Sequence, residues 1–300
     1  MVTEDSTLSI NRFKKIKKRL RKQNLGSNIK ELMNKETSIQ WNGTSEALLK
    51  ALHILTRDGK LNADSRRKLK QVQHLVQLIE PYLQRTLKVR PSLHVVDFGA
   101  GKSYLGFLLY DLVLRSIPGA KLTSIEIREE LVQKSIALAK ESGFERMAFV
   151  SSAIETAKPS APSDAVCALH ACDTATDDAI LFGIRDNVHS FALVPCCQAE
   201  VAAQLDRIPD SEKSPLFRHP IHRREFGSHL TNVIRSLFLS SRGYAVTVTE
   251  LVGWEHSMKN ELILAEKKST PDHPESLKSQ EALKRIVEEY RLEPKLLRGL

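Results

Sequence analysis

Cysteine is scarce and confined: the four in 300 residues are Cys167, Cys172, Cys196 and Cys197. A set so clustered, without CxxC spacing, excludes a disulfide framework. It points to a reduced chain, with the cytoplasm as the expected location. No uninterrupted apolar run is long enough to cross a bilayer. The opening MVTEDSTLSI has two acids and no apolar stretch, so no secretory leader is expected there. No internal repeat is visible. With 41% hydrophobic and 27% charged residues, the chain has the composition of an ordinary globular protein able to bury a full core.

Acid is missing from RFKKIKKRLRK, residues 12–22, where eight of eleven residues are basic. The imbalance extends beyond that run. Residues 1–90 carry +12 and residues 91–300 carry −3, which together give the +9 of the whole chain. A basic block of this density neutralises several phosphates at once, so nucleic acid is the expected partner. Phe13, Ile16 and Leu20 would give a helix only a thin apolar stripe, meagre for membrane insertion. Helices are expected near 45–56 and 65–83, the second with Arg66, Arg67, Lys68 and Lys70 in its first turns.

From residue 93 the pattern changes. LHVVDF (93–98), KLTSIEI (121–127), MAFVSS (147–152), AVCALHA (165–171) and FALVPCC (191–197) read as buried strands. Helical stretches at 103–116, 129–142 and 175–184 separate them, and this alternation predicts a parallel sheet covered on both faces. After a helix near 228–240, YAVTVTEL (244–251) and ELILAEK (261–267) are joined by nine residues. That is too short for a crossover helix, so the last strand must run antiparallel. A Pro-containing linker and a helix near 279–290 close the chain. The expected division is a basic helical region 1–90, a catalytic domain 91–267 and a C-terminal linker with helix 268–300.

The first strand runs into DFGAGKSYLG, residues 97–106. Glycine is missing where two common phosphate binders need it. A P-loop requires one four residues before the Gly-Lys-Ser, where Val96 stands inside the strand. A dinucleotide fingerprint requires a third at position 104, where Tyr104 stands. An S-adenosylmethionine site fits better. Gly99 and Gly101 let the loop turn sharply and bring its backbone near a ligand. Asp97 can take water or the ligand's ammonium group, and Glu126, ending the second strand, can accept both ribose hydroxyls. After the third strand the chain offers Ser151 and Ser152, of which Ser152 is the candidate for the adenine amino group.

A second constellation is ALHACDTATDDAI (168–180) with VPCCQ (194–198). His170, Cys172, Ala175, Thr176 and Asp177 resemble the His-x-Cys-x-x-Ala-Thr-Asp signature of the tRNA ribose 2′-O-methyltransferases. Cys196 and Cys197 resemble the Cys-Cys pair of their following strand, and GWEHSMKNELILA (253–265) resembles the closing hairpin of a wider methyltransferase-like group. The likeness spans residues 93–266. It implies the class I methyltransferase fold: a doubly wound, Rossmann-like, seven-stranded α/β sheet with one antiparallel strand. It also implies S-adenosylmethionine as cofactor. The zinc module that precedes the fold in the tRNA enzymes has no counterpart, since no cysteine precedes residue 167.

In a doubly wound sheet the ligand crevice lies beyond the carboxyl ends of the strands. His170, Cys172 and Asp173 are therefore the candidate catalytic residues, with His170 as base or substrate orienter because it titrates near neutrality. Asp173 or Thr174 could equally cap the next helix, with Asp177 and Asp178 favourable in its first turn. Cys172, Cys196 and Cys197 with His219, His222 or His229 have the ligand types of a zinc site, but adjacent cysteines rarely share one ion, and no metal is expected. A cysteine nucleophile at Cys196 lacks its companion Pro-Cys. Arg218, Arg223 and Arg224 are further candidates for RNA phosphate. Trp254, Glu255, His256 and Lys259 are candidate substrate contacts. The combined expectation is a methyltransferase acting on RNA. A protein or small-molecule acceptor, or an RNA-binding assembly factor without catalysis, are the alternatives.

Overall fold

A computed structural model describes residues 46–298 apart from 53–54, 57, 61, 170, 196–197, 209–211 and 252–260. The basic run 12–22, His170, the Cys196–Cys197 pair and the hairpin candidates Trp254, Glu255, His256 and Lys259 lie outside the described residues. The chain divides into two compact units at residue 68. In the first, α1 (Glu46–Ala51) buries Leu48 and Leu49. Helix α2 (Ala63–Val89) continues through Pro81 to Val89, six residues past the end expected from periodicity. Pro81 faces solvent, and Leu75, Val76, Ile79 and Leu83 form the buried stripe.

The second unit is a seven-stranded sheet in the order β3-β2-β1-β4-β5-β7-β6. Its strands are β1 (His94–Phe98), β2 (Lys121–Glu126), β3 (Met147–Ser151), β4 (Ala165–Ala168), β5 (Ser190–Leu193), β6 (Tyr244–Glu250) and β7 (Glu261–Lys267). β1 to β5 are mutually parallel. β7 runs antiparallel to both β5 and β6. Central strands β1, β4 and β5 are buried at every position, as continuous β-branched and apolar runs require when helices cover both faces. The edge strands β3 and β6 show partial exposure. The expected fold is the observed one, reversed last strand included.

Among the described residues the sheet is accompanied by α3 (Tyr104–Leu112), α4 (Glu129–Glu141), α5 (Thr174–Arg185), α6 (Glu200–Leu205), α7 (Pro220–Ser241) and α8 (Pro274–Glu289), with a last short α9 (Lys295–Arg298). α8 starts five residues before the expected 279, α9 has no expected counterpart, and three others also differ. α3 stops at Leu112 because Val113 leaves helical space at φ −125°, and residues 114–116 form a separate 3-10 turn. α7 starts at Pro220, eight residues before the expected 228. A proline at the first helical position, preset in φ, starts it inside a stretch that reads as a basic loop. α6 has no counterpart among the expected elements, since six residues are too few to show a periodicity.

Strand direction fixes the geometry of the site. β1, β4 and β5 end on one edge of the sheet. Because Leu193 of β5 pairs with Ile263 of the reversed β7, Glu261 at the start of β7 lies on that same edge. The first half of α7 lies there too, since its far end feeds β6 from the opposite edge.

Candidate active site

β1 delivers Asp97 to this edge in a fully buried position, 2% exposed. The Gly106 N–H donates to it, while Oδ1 is buried with no hydrogen-bond partner among the described residues. Burial pushes the carboxyl up to about 7, against the downward pull of that N–H. Gly106 itself makes room: a Cβ there would lie 2.7 Å from Ser103 Oγ, 2.9 Å from Ser124 Oγ and 3.3 Å from Asp97 Oδ2. The close helix–strand approach that a dinucleotide fingerprint obtains from its third glycine is thus made two residues later than Tyr104.

The turn after β1 holds left-handed backbone at Gly99 (φ +61°), Gly101 (φ +59°) and Ser103 (φ 54°). A Cβ on Gly99 would approach Ala171 Cα to 3.2 Å, so this turn sits against the loop after β4. Gly99→Ala is expected to cost about 1–3 kcal/mol from the strained backbone together with that approach. Chemical denaturation checks it, and a cost below 0.5 kcal/mol would mean that the turn relaxes freely.

Glu126, ending β2, is tied to the same turn. Gly101 N–H donates to Oε2 (2.7 Å), and Oε1 accepts from Arg128 Nε (2.7 Å) and Arg128 N–H (3.2 Å). Burial works against ionisation, but the Arg128 hydrogen bond, the two N–H groups and the Arg128 charge outweigh it and hold the carboxyl below its usual range. Ser152 is next to Glu126 through its backbone, its N–H donating to the Glu126 carbonyl (3.2 Å). Its hydroxyl is engaged locally, with the Ala153 carbonyl (2.9 Å) and Thr156 Oγ1 (3.2 Å).

The loop after β4 carries the His-x-Cys-x-x-Ala-Thr-Asp motif. Cys172 is exposed. Asp173 adopts φ 51°, ψ −124°, rare for a residue with a side chain. Its side chain does not cap α5, the helix it precedes. Instead Oδ1 accepts from Ala199 N–H (2.9 Å) and Glu200 N–H (3.2 Å), capping α6 from a different strand's loop. Thr176 Oγ1 donates back to the Ala171 carbonyl (2.5 Å). Asp177 takes Arg235 Nε (2.6 Å), and Arg235 Nη2 donates to the Asp173 carbonyl (2.7 Å). Arg235 is fully buried at 0% exposure. Asp178 turns the other way and pairs with Lys295 Nζ (2.8 Å).

Sequence reasoning missed Arg235 and the network it anchors. Arg235 Nη1 and Gln198 Nε2 both donate to Asn232 Oδ1 (3.2 and 3.4 Å), Ser228 Oγ donates to Gln198 Oε1 (2.5 Å), and Asn232 Nδ2 donates to Glu261 Oε2 (2.5 Å). One polar network therefore joins the motif, the loop after β5 and the root of β7. The one signal was a charged residue inside an apolar helical face, at HLTNVIRSLFL (229–239). The structure brings together Asp97, Gly99, Gly101 and Glu126, and places Cys172 and Asp173 on the adjoining loop. Arg223 and Arg224 are occupied by acids, Asp206 (2.7 Å) and Glu225 (3.0 Å). Among the described residues no cluster of three or more His, Cys, Asp or Glu is arranged to hold a metal.

The buried, unpartnered Asp97 Oδ1 and the side-chain-free cradle at Gly99 and Gly101 fit a small ligand that brings a donor to the end of β1. Residues 67–204 match the model of a family described as a methyltransferase domain. No curated protein matches the chain. Solved structures with a similar fold include magnesium protoporphyrin IX methyltransferase from Synechocystis PCC 6803, at 14% identity and TM-score 0.46, covering 74% of this chain and 93% of that one. An SAH-bound methyltransferase of Podospora anserina has 9% identity and TM-score 0.45, covering 90% and 98%. TrmK of M. capricolum, in complex with S-adenosyl-homocysteine, has 14% identity and TM-score 0.38, covering 66% and 73%. At this level of likeness none of them bears on the acceptor. Residues 67–204 thus match a methyltransferase domain, and the sheet order is that of the class I methyltransferase fold.

Proposed function

We propose that the acceptor is structured RNA, methylated in the manner of the tRNA ribose 2′-O-methyltransferases whose motif the loop after β4 resembles. The observation that carries this reading is the placement of charge: +12 in residues 1–90 against −3 in residues 91–300. In this reading residues 1–90 grip the RNA, residues 91–267 form the catalytic domain, residues 268–300 brace it, and the protein works in the cytoplasm. No described helix is long and apolar enough to cross a membrane.

S-adenosylmethionine supplies a methyl group on a sulfonium that is already a good leaving group. The protein has to hold and align. Asp97 takes the ammonium end, directly or through a water, with its unpartnered Oδ1. Gly99 and Gly101 admit the ligand against the backbone, and Ser152 lies toward the adenine end. Glu126 takes the ribose hydroxyls. Its carboxylate accepts three N–H groups of the roughly four it can hold, and Arg128, 57% exposed, is free to swing outward and release more. His170 relieves the acceptor of its proton, with Cys172 and Asp173 lining the same edge.

Incubation of the full chain and labelled cofactor with total RNA, and separately with protein extract, tests the reading. Label is expected in RNA. Label only in protein would replace RNA with a protein acceptor, and no label in either would favour an assembly factor that keeps the fold without the reaction.

A further inference from the structure

A groove of about 530 Å³ runs beside α6, lined by Ala203 and Gln204 of that helix, by Arg207 and Ile208 just after it, and by Arg291, Glu293 and Arg298 of the C-terminal segment. Its walls are fastened together: Gln204 Nε2 donates to the Glu293 carbonyl (3.1 Å), and Glu293 N–H donates to Gln204 Oε1 (2.6 Å). Glu200, at the near end, is paired with Arg298 Nη2 (2.9 Å) and also accepts the Lys295 backbone N–H (2.8 Å). Arg207 and Arg291 are exposed, and their guanidinium groups have no hydrogen-bond or ion-pair partner among the described residues. Among the described lining residues the acids are Glu293 and the Arg298-paired Glu200. The ion pair of Arg223 with Asp206, the residue before Arg207, draws the basic start of α7 to the same place.

We propose that this groove is a phosphate subsite, holding a backbone phosphate of the RNA next to the nucleotide that enters the crevice; the inference rests on the RNA reading above. The connection to the crevice is short. Glu200 N–H is bound to Asp173, and the six residues of α6 rise about 9 Å. Arg207 therefore stands roughly 10 Å from the motif loop, within a nucleotide or two of an acceptor placed there. Two exposed guanidinium forks suit phosphate oxygens, which they meet bidentately. A lone lysine would supply charge without that geometry.

The test uses the full chain with the R207E/R291E double substitution, and fluorescence anisotropy of labelled unfractionated tRNA across a salt series. Affinity near physiological salt should fall about tenfold or more, and the log–log salt slope should shrink by roughly 0.7–0.9 as one phosphate contact disappears. Cofactor affinity by calorimetry should be unchanged. R207K/R291K should keep the slope and lose about threefold in affinity. If wild type binds tRNA and the double variant binds it equally, the groove is not a phosphate site although the RNA reading stands. A wild-type chain that binds no RNA takes both down. Displacement of the tRNA from this face by poly-glutamate at equal charge concentration would assign the groove to an acidic polypeptide instead.

Discussion

Arg235→Met is expected to remove about 3–5 kcal/mol of stability, the largest effect of any single side chain here. The guanidinium is completely enclosed and serves Asp177, Asn232 and the Asp173 carbonyl at once. Without it, Asp177 at 3% exposure is left as a buried acid with no cation, and burial already pushes its carboxyl up. Against a typical total of about 5–15 kcal/mol, the loss lowers the melting temperature on the order of 10 °C. The companion Arg235→Met/Asp177→Leu is expected to recover much of it, because replacing both charges leaves nothing unpaired. Urea denaturation of the three proteins measures this. A single variant within 1 kcal/mol of wild type would show that the pair does not hold the loop. Cofactor affinity should fall with stability, since the left-handed Asp173 is held by Arg235 on its carbonyl and by α6 on its carboxylate.

The second large effect is on pH. Cofactor affinity is expected to rise about tenfold between pH 6 and pH 8, with release of a proton. In the free protein Asp97 titrates at about 7, and a cationic ligand favours its carboxylate. The free protein moves the opposite way. An unfolded Asp ionises near 3.9, so the folded chain holds this proton over a wider range. The contribution is fully present below about pH 4 and is lost as pH rises through about 7, a change on the order of 4 kcal/mol. Asp97→Asn should therefore stabilise the free protein at pH 8, flatten its stability profile and bind cofactor weakly at every pH. Calorimetry and thermal unfolding at several pH values separate the two signs. Affinity that stays flat with pH in wild type would remove Asp97 from contact with the ligand.

Most of the sheet is legible because its strands are short β-branched runs separated by helical periodicity, and the spacing places β7 at 261–267 with its direction. That direction comes from the length of a connection, which is a strong constraint. Helix limits are less legible. The start of α7 hides behind arginines and histidines that read as a solvated loop, and the end of α2 behind Pro81. In the site, the approach of Asp97, Gly99, Gly101 and Glu126 can be read from spacing alone, because consecutive strand ends bring them together. The roles within 168–180 cannot. That Asp173 caps a helix 27 residues away, and that Asp177 is held by a residue 58 away, depends on contacts across the fold that no local pattern encodes. The C-terminal segment likewise offers no readable chemistry, yet Lys295 binds Asp178 and Arg298 binds Glu200 beside the motif.

β6 and β7 leave and re-enter the ladder at Glu250 and Glu261, both on the rim where the parallel strands finish. The reversed pair thus sets two carboxylates, opposite one another in register, on the rim that also carries the ends of β1, β4 and β5, where a change of charge leaves the parallel ladder untouched.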